Sequence, residues 1–126
     1  MQRVLVVDDS RAVRMLLVQI LEAHGYASVE AETAEDAFDV ALRDPPDVMV
    51  VDHHLGISSG ADLVRVVRAA KSDRLRSMPI VGLSGRRGSE GPLLDAGASC
   101  FIAKPFHEGE LLEAVSRALG PDGRSA

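Results

Sequence analysis

The sequence contains a single cysteine, Cys100, and no long hydrophobic run. A lone cysteine excludes an internal disulfide and is typical of proteins from a reducing compartment. No apolar run approaches the roughly 20 residues that a membrane-spanning helix needs. The N-terminal residues MQRVLVVDDS also lack an apolar segment of signal-peptide length. We therefore expect a cytoplasmic protein that does not contact a membrane.

Positive charge is also scarce. The chain has 14 Lys and Arg against 19 Asp and Glu, which gives a formal net charge of −5. It therefore lacks the general basic surface with which proteins bind the nucleic-acid backbone, and we expect no contact with DNA. Apolar residues make up 46% of the 126 residues. We expect one globular domain over residues 1–120, followed by a disordered tail at 121–126.

Apolar runs and amphipathic segments alternate five times along the chain. The runs begin near Val4, Ala27, Val48, Pro79 and Ser99. The segments between most of them carry apolar residues at the i, i+3, i+4 spacing of a helix. This alternation predicts an α/β protein with three layers, in which helices cover both faces of an open parallel sheet.

Local signals refine this prediction. Ser10, or alternatively Asp9, is placed to cap the first helix, and Thr33 is placed to cap the second. Val48 to Val51 is wholly apolar, which is typical of a strand buried on both faces. Residues 85–91 are glycine-rich and polar, and they leave room for at most a short helix near residues 92–96. We therefore expect the fourth helix to be short or displaced.

Polar residues follow the predicted strands at their carboxyl ends. Strand one ends on Asp8 and Asp9, strand three on Asp52, strand four on Ser84 and strand five on Lys104. Ligands of open parallel sheets bind at this edge. Three acids, a hydroxyl and a lysine are thus expected to form one functional site.

This set of side chains suits phosphoryl chemistry. Oxygen ligands with room for water are those that Mg²⁺ prefers, which predicts Asp9 and Asp52 as direct ligands. Asp8 would act through a bound water or by orienting Lys104. A carboxylate can attack phosphorus to form an aspartyl phosphate, and Lys104 and Ser84 would contact the phosphoryl oxygens. Turn and cap roles are the alternative for a single aspartate, but three acids at adjacent strand ends beside a lysine disfavour it.

Four motifs, in order at the expected strand ends, resemble the response-regulator receiver domain of the chemotaxis single-domain type. They are VLVVDDS at 4–10, VMVVDHHL at 48–55 with Gly60 eight residues beyond Asp52, PIVGLS at 79–84 and AGASCFIAKPF at 96–106. The resemblance covers the chain apart from its tail. It implies the flavodoxin-like (βα)5 fold with five parallel strands in the order 2-1-3-4-5.

The same resemblance implies roles for the site residues. Asp52 would accept a phosphoryl group from a histidine kinase or a histidine phosphotransfer protein. Mg²⁺ would bind Asp9, Asp52 and the main-chain carbonyl of His54. Ser84 and Lys104 would contact the phosphoryl group.

A conformational switch is also implied. The Lys104–Pro105 bond would be cis, and movement of Ser84 toward the phosphoryl group would be coupled to inward rotation of Phe101. The face formed by the fourth helix, the fifth strand and the fifth helix would then repack, and an output protein of unknown identity would dock there. From the residues alone, Phe101 as a fixed core aromatic and Ser84 as the start of a turn remain open alternatives.

The chain departs from the family pattern around the acceptor. Gly56 stands where a proline is usual, and His53 and His54 directly follow the acceptor. We interpret these histidines as solvated loop residues rather than as a transition-metal site. His54 and Arg86 flank the route of water to an acyl phosphate, and we expect them to tune the rate of dephosphorylation.

The expected function is that of a stand-alone response regulator, monomeric or weakly dimeric, that switches protein–protein interactions. Its only reactions would be Mg²⁺-dependent self-phosphorylation and autodephosphorylation, so we do not expect an enzyme. Two alternatives stay open: a phosphorelay intermediate or phosphate sink, and a phosphate-insensitive receiver-like binding module. A small-molecule phosphatase usually needs a second acid two residues past its nucleophile, where this chain has His54.

Overall fold

A computed structural model of the protein describes residues 1–85 and 90–125. For residue 90 and residues 121–125 it describes the backbone alone. In chain order the elements are β1 (Arg3–Val7), α1 (Arg11–Ala23), β2 (Ala27–Ala31), α2 (Ala34–Arg43), β3 (Val48–Asp52), β4 (His54–Leu55), β5 (Ser58–Ser59), α3 (Gly60–Arg68), α4 (Asp73–Arg76), β6 (Ile80–Ser84), α5 (Glu90–Ala96), β7 (Cys100–Ala103) and α6 (Glu108–Ser125).

The five longer strands form one parallel sheet in the order β2-β1-β3-β6-β7. The short strands β4 and β5 pair with each other in a separate antiparallel ladder. Counted over the five predicted strands, the order is therefore 2-1-3-4-5. β3 is buried along its whole length, whereas β2 at the edge is mostly half-buried. The predicted fold is confirmed.

Alternate residues of the central strands point to opposite faces of the sheet. Leu5 and Met49 belong to a core that also contains buried residues of α2, α3 and α5. Val4 and Val50 belong to a second core with buried residues of α1 and α6. Helices therefore cover both faces of this parallel sheet, and side chains that point to either face are buried. This burial explains why the apolar runs of β1 and β3 are uninterrupted.

The predicted caps are present. The Ser10 hydroxyl accepts a hydrogen bond from the Val13 N–H at 3.3 Å, and the Thr33 hydroxyl accepts one from the Asp36 N–H at 3.1 Å. These bonds satisfy N–H groups that lack a partner in the first turn of a helix. The Ser10 cap fixes the start of α1 two residues after Asp9.

The structure contains two elements that the sequence does not predict. One is the β4–β5 hairpin after Asp52, which turns at Gly56 with a φ of 70°. The other is α4, a single turn in the polar stretch between α3 and β6. Ser72 caps α4 and its buried Leu75 reaches the core, so one turn of helix is stabilised by packing rather than by length.

The last two helices differ from each other in length. α5 spans Glu90–Ala96 within the described residues, directly after the undescribed residues 86–89, so the expectation of a short or displaced fourth helix stays a prediction. α6 is broken at Gly120, where φ is 74° and ψ is 178°. The boundary of the domain at residue 120 and the disordered tail at 121–126 stay predictions. Among the described residues, none of the helices combines the length and apolar character that crossing a membrane requires.

Candidate functional site

Asp52 is the last residue of β3 and is only 5% exposed. β3 lies between β1 and β6, and Asp52 stands opposite Leu83 in the register with β6. Asp8 directly follows β1, and Ser84 is the last residue of β6. The parallel register therefore brings these three side chains to one edge of the sheet, as predicted.

The three acids of the site lie close together. Oxygen atoms of the Asp8, Asp9 and Asp52 carboxylates are all within 4.8 Å of one another. Asp8 and Asp52 are buried, whereas Asp9 is exposed. The Asp8 carboxylate accepts a hydrogen bond from the Ser10 N–H at 2.8 Å. One side of the cluster is thus fixed within the protein, and the other is open to water.

Lys104 completes the cluster from the far end of the chain. Its Nζ lies 3.1 Å from Asp8 Oδ2 and 3.1 Å from Asp52 Oδ1. Its main-chain N–H donates to the Ser84 carbonyl at 2.8 Å, which continues the pairing of β7 with β6. The Lys104–Pro105 peptide bond is cis, as the resemblance implies. A residue 96 positions from Asp8 therefore neutralises part of its charge.

Burial and neighbouring charges both shift the pKa values of Asp8 and Lys104. Burial raises the pKa of Asp8, and the charge of Asp52 adds to this, while the Ser10 N–H and Lys104 oppose it. Burial lowers the pKa of Lys104, but the hydrogen bond and charge of Asp52, together with the charge of Asp8, outweigh burial and raise it. Lys104 is therefore held as a cation beside the acids.

The residues of this cluster fit Mg²⁺. All three donors are carboxylates, and Mg²⁺ binds through one or two carboxylates while it keeps several waters. The exposed Asp9 leaves room for those waters. Three carboxylates against one lysine leave an excess of negative charge that a divalent cation would balance. The assignment of individual ligands, including the His54 carbonyl, stays a prediction.

Ser84 and Phe101 occupy different environments. Ser84 is buried and stands opposite Ala103 in the β6–β7 register, beside the cluster. Phe101 is 37% exposed, so the alternative that it is a fixed core aromatic is wrong. Its role in a switch stays a prediction.

The two histidines lie on the hairpin side of the site. His54 is exposed at the start of β4, and its ring meets that of His53 edge to face at 4.9 Å. Burial and the neighbouring His54 lower the pKa of His53. Within the described part of the chain, the one cluster suited to a metal consists of aspartates and includes neither histidine. Arg86 lies outside the described residues.

Two further residues shape the site without a clear sequence signal. A Cβ at Gly60 would collide with the main-chain oxygen of Asp52, so only glycine lets the hairpin return this close. Arg14 Nη1 donates to the main-chain oxygen of Asp8 at 2.6 Å. Gly60 is visible in the sequence only through its spacing from Asp52, and nothing in the sequence marks Arg14.

Comparison with known proteins agrees with this geometry. The model of the response regulator receiver domain family matches residues 4–116. The phosphate regulon transcriptional regulatory protein PhoB of Pseudomonas aeruginosa is 33% identical over 128 residues, which cover 98% of this chain and 55% of PhoB. The chain spans about half the length of the curated relatives it matches.

Solved structures share the fold along nearly the whole chain. The chemotaxis response regulator CheY4 of Vibrio cholerae is 27% identical with a TM-score of 0.85, covering 94% of this chain and 98% of CheY4. The receiver domain of the sensor histidine kinase PA1611 from Pseudomonas aeruginosa was solved with a magnesium ion coordinated in its active site cleft. It is 27% identical with a TM-score of 0.87, covering 94% of this chain and 98% of that domain. The chain therefore belongs to the response regulator receiver domain family and is a receiver domain of two-component signalling.

Proposed function

We propose that Asp52 accepts a phosphoryl group from a phosphohistidine of a histidine kinase or a histidine phosphotransfer protein. The aspartyl phosphate would then switch the contacts of this domain with an output protein. One observation carries the proposal: the buried Asp52 carboxylate lies 3.1 Å from Lys104 Nζ and within 4.8 Å of two further acids. A buried charge is costly, so such a cluster persists where its charges are paired or used.

The transfer needs little covalent work from the protein. A carboxylate oxygen of Asp52 attacks phosphorus, and an O–P bond forms while the P–N bond to the donor imidazole breaks. The electron pair of that bond leaves with the imidazole nitrogen, which takes up a proton. Negative charge is spread over the phosphoryl oxygens. The ammonium group of Lys104, which lies beside Asp52, is placed to stabilise that charge.

Mg²⁺ would be held by Asp9, Asp52 and the main-chain carbonyl of His54, and Asp8 would act through a bound water or through Lys104. The ion, when bound, neutralises charge on the phosphoryl oxygens. The magnesium ion in the receiver domain of PA1611 supports this assignment. Ser84, buried beside the cluster, would contact a further phosphoryl oxygen.

We also propose that the chain has no enzymatic activity on other substrates, acts in the cytoplasm and does not itself bind DNA. The net charge of −5 supports the last point. The relative PhoB supports a second candidate, a receiver domain within a longer transcriptional regulator, because this chain covers 55% of PhoB. The size of the native protein, measured by immunoblotting of cell extract, separates a stand-alone regulator from this candidate.

Intact-mass spectrometry after incubation with acetyl phosphate and Mg²⁺ tests the central proposal. We expect one added phosphoryl group in the wild type and in Asp95→Ala, which removes an exposed acid on α5 that is not part of the cluster. We expect none in Asp52→Ala, and none when EDTA replaces Mg²⁺. Binding of Mg²⁺ without any adduct would instead indicate the phosphate-insensitive module.

A further inference from the structure

Arg14 connects the loop that carries the acids to the edge of the sheet. It lies on α1, and its side chain is only 13% exposed. Nη1 donates to the main-chain oxygen of Asp8 at 2.6 Å, and Nε donates to Glu30 Oε1 at 3.1 Å. Glu30 lies on the edge strand β2. One guanidinium therefore joins α1, β2 and the β1–α1 loop.

The loop depends on this connection because its second acid is otherwise held only by its backbone. Asp8 is fixed by its own N–H, which donates to the Ala31 carbonyl, and by the Ser10 N–H. The carboxylate of Asp9, by contrast, has no hydrogen-bond or ion-pair partner within residues 1–85 and 90–125. The position of Asp9 is thus set by the main chain that Arg14 holds at Asp8.

We propose that Arg14 is a positioning residue for the Mg²⁺ site, because it fixes the main chain between Asp8 and the exposed ligand Asp9. Mg²⁺ demands near-ideal octahedral geometry and tolerates misplaced ligands poorly. A ligand that is already in place also loses less conformational freedom when the ion binds. The inference rests on the proposed function, since it assumes that these acids bind Mg²⁺.

An electrostatic role and a positioning role of Arg14 predict opposite changes in Mg²⁺ affinity when its side chain is removed. A guanidinium near a cation site repels the cation, so a purely electrostatic role means that its removal tightens Mg²⁺ binding. Glu30 offsets part of that repulsion at 3.1 Å. A positioning role means that removal weakens binding, because the main-chain oxygen of Asp8 loses the hydrogen bond from Arg14. The sign of the change therefore distinguishes the two roles.

Isothermal titration of Mg²⁺ into the unphosphorylated full chain measures this sign. For Arg14→Gln we expect a dissociation constant about tenfold higher than that of the wild type, within the range typical of residues that orient metal ligands. Arg14→Lys keeps the charge but lacks the fork that reaches two acceptors, and we expect an intermediate value. Arg11→Gln is the matched control, since Arg11 is exposed on the same helix and has no side-chain partner among the described residues. Its dissociation constant should change by less than about twofold.

A second readout separates positioning from damage to the fold. The Mg²⁺ concentration that gives the half-maximal rate of phosphorylation by acetyl phosphate should rise by the same factor in Arg14→Gln. The rate at saturating Mg²⁺ should stay unchanged. Far-UV circular dichroism in EDTA checks that each variant folds, and if Arg14→Gln does not, Arg14→Lys decides the question.

An unchanged or tighter dissociation constant in the folded Arg14 variants would overturn the inference. So would a lower plateau rate with an unchanged Mg²⁺ dependence. Absence of Mg²⁺ binding by the wild type would instead overturn the proposed function.

Discussion

The ionised carboxylate of Asp8 lowers the stability of the metal-free protein. It is 1% exposed, and burial together with the charge of Asp52 raises its pKa. Lys104 is shared between Asp8 and Asp52, so it cannot fully compensate both. The repulsion among these acids therefore remains in the folded protein unless a cation such as the proposed Mg²⁺ lies among them.

Asp8→Asn should therefore stabilise the metal-free protein. The amide oxygen can still accept from the Ser10 N–H, while the desolvated charge is removed. We expect the free energy of unfolding to rise by about 1 kcal/mol at pH 7, as is common when a functional site is relieved of repulsion. Urea denaturation in EDTA measures it, with the exposed Asp95→Asn as a control that should change it by less than about 0.5 kcal/mol. A loss of stability in Asp8→Asn would show that the ionised Asp8 stabilises the fold.

Among the helices, the side chain of Arg68 forms hydrogen bonds that join three segments of the chain. Arg68, at the end of α3, donates through Nε to the Gly97 carbonyl at 2.9 Å. Through Nη1 it donates to the carbonyls of Arg76 at 2.9 Å and Met78 at 2.7 Å. Burial lowers the pKa of this guanidinium. These bonds hold the ends of α3, α4 and α5 together opposite the site.

Arg68→Ala should lower the free energy of unfolding by about 2 kcal/mol, because it leaves partly buried carbonyls without their donor. Arg65→Ala is the matched control on the same helix, where an exposed ion pair with Asp62 is lost and the change should stay below about 0.5 kcal/mol. Chemical denaturation of both variants gives the comparison. Equal effects in the two variants would refute the role of Arg68 as a clamp.

The elements also show which parts of this structure the sequence can predict. β1, β3 and α1 are long enough for their apolar residues to show a period of two or 3.6, or an unbroken buried run. The β4–β5 ladder and α4 are too short to show any period, and they depend on Gly56 at a positive φ and on burial of Leu75. Asp8, Asp52 and Lys104 were predictable because parallel strands end at the same edge. Arg14 was not, because its partner at Asp8 is a main-chain oxygen.

At the scale of the whole molecule, the adjacent strands β6 and β7 lead from the site to the surface at Phe101. Ser84 and Ala103 are neighbours in the β6–β7 register, and Gly82 and Phe101 are neighbours two residues earlier. Phe101 is exposed in this structure, whereas the family resemblance implies an inward position after phosphorylation. A two-state equilibrium of this kind can be shifted by a group that favours one state.

A single tryptophan at this position reports the expected shift, because the chain has no tryptophan of its own. In Phe101→Trp, phosphorylation by acetyl phosphate should move the fluorescence emission to shorter wavelength and reduce quenching by acrylamide, since the ring becomes buried. The same substitution combined with Asp52→Ala should show neither change. An unaltered spectrum in a sample whose mass proves phosphorylation would contradict the switch at Phe101.

The identity of the modified residue is the most direct test of the account as a whole. Borohydride reduces an acyl phosphate to an alcohol and releases phosphate, so phosphorylated aspartate becomes homoserine. Peptide mass spectrometry of the protein, treated first with acetyl phosphate and Mg²⁺ and then with borohydride, should locate homoserine at Asp52 and at no other acid. Homoserine at Asp8 or Asp9, or a phosphate adduct that borohydride leaves intact, would contradict the assignment of Asp52 as the phosphoryl acceptor.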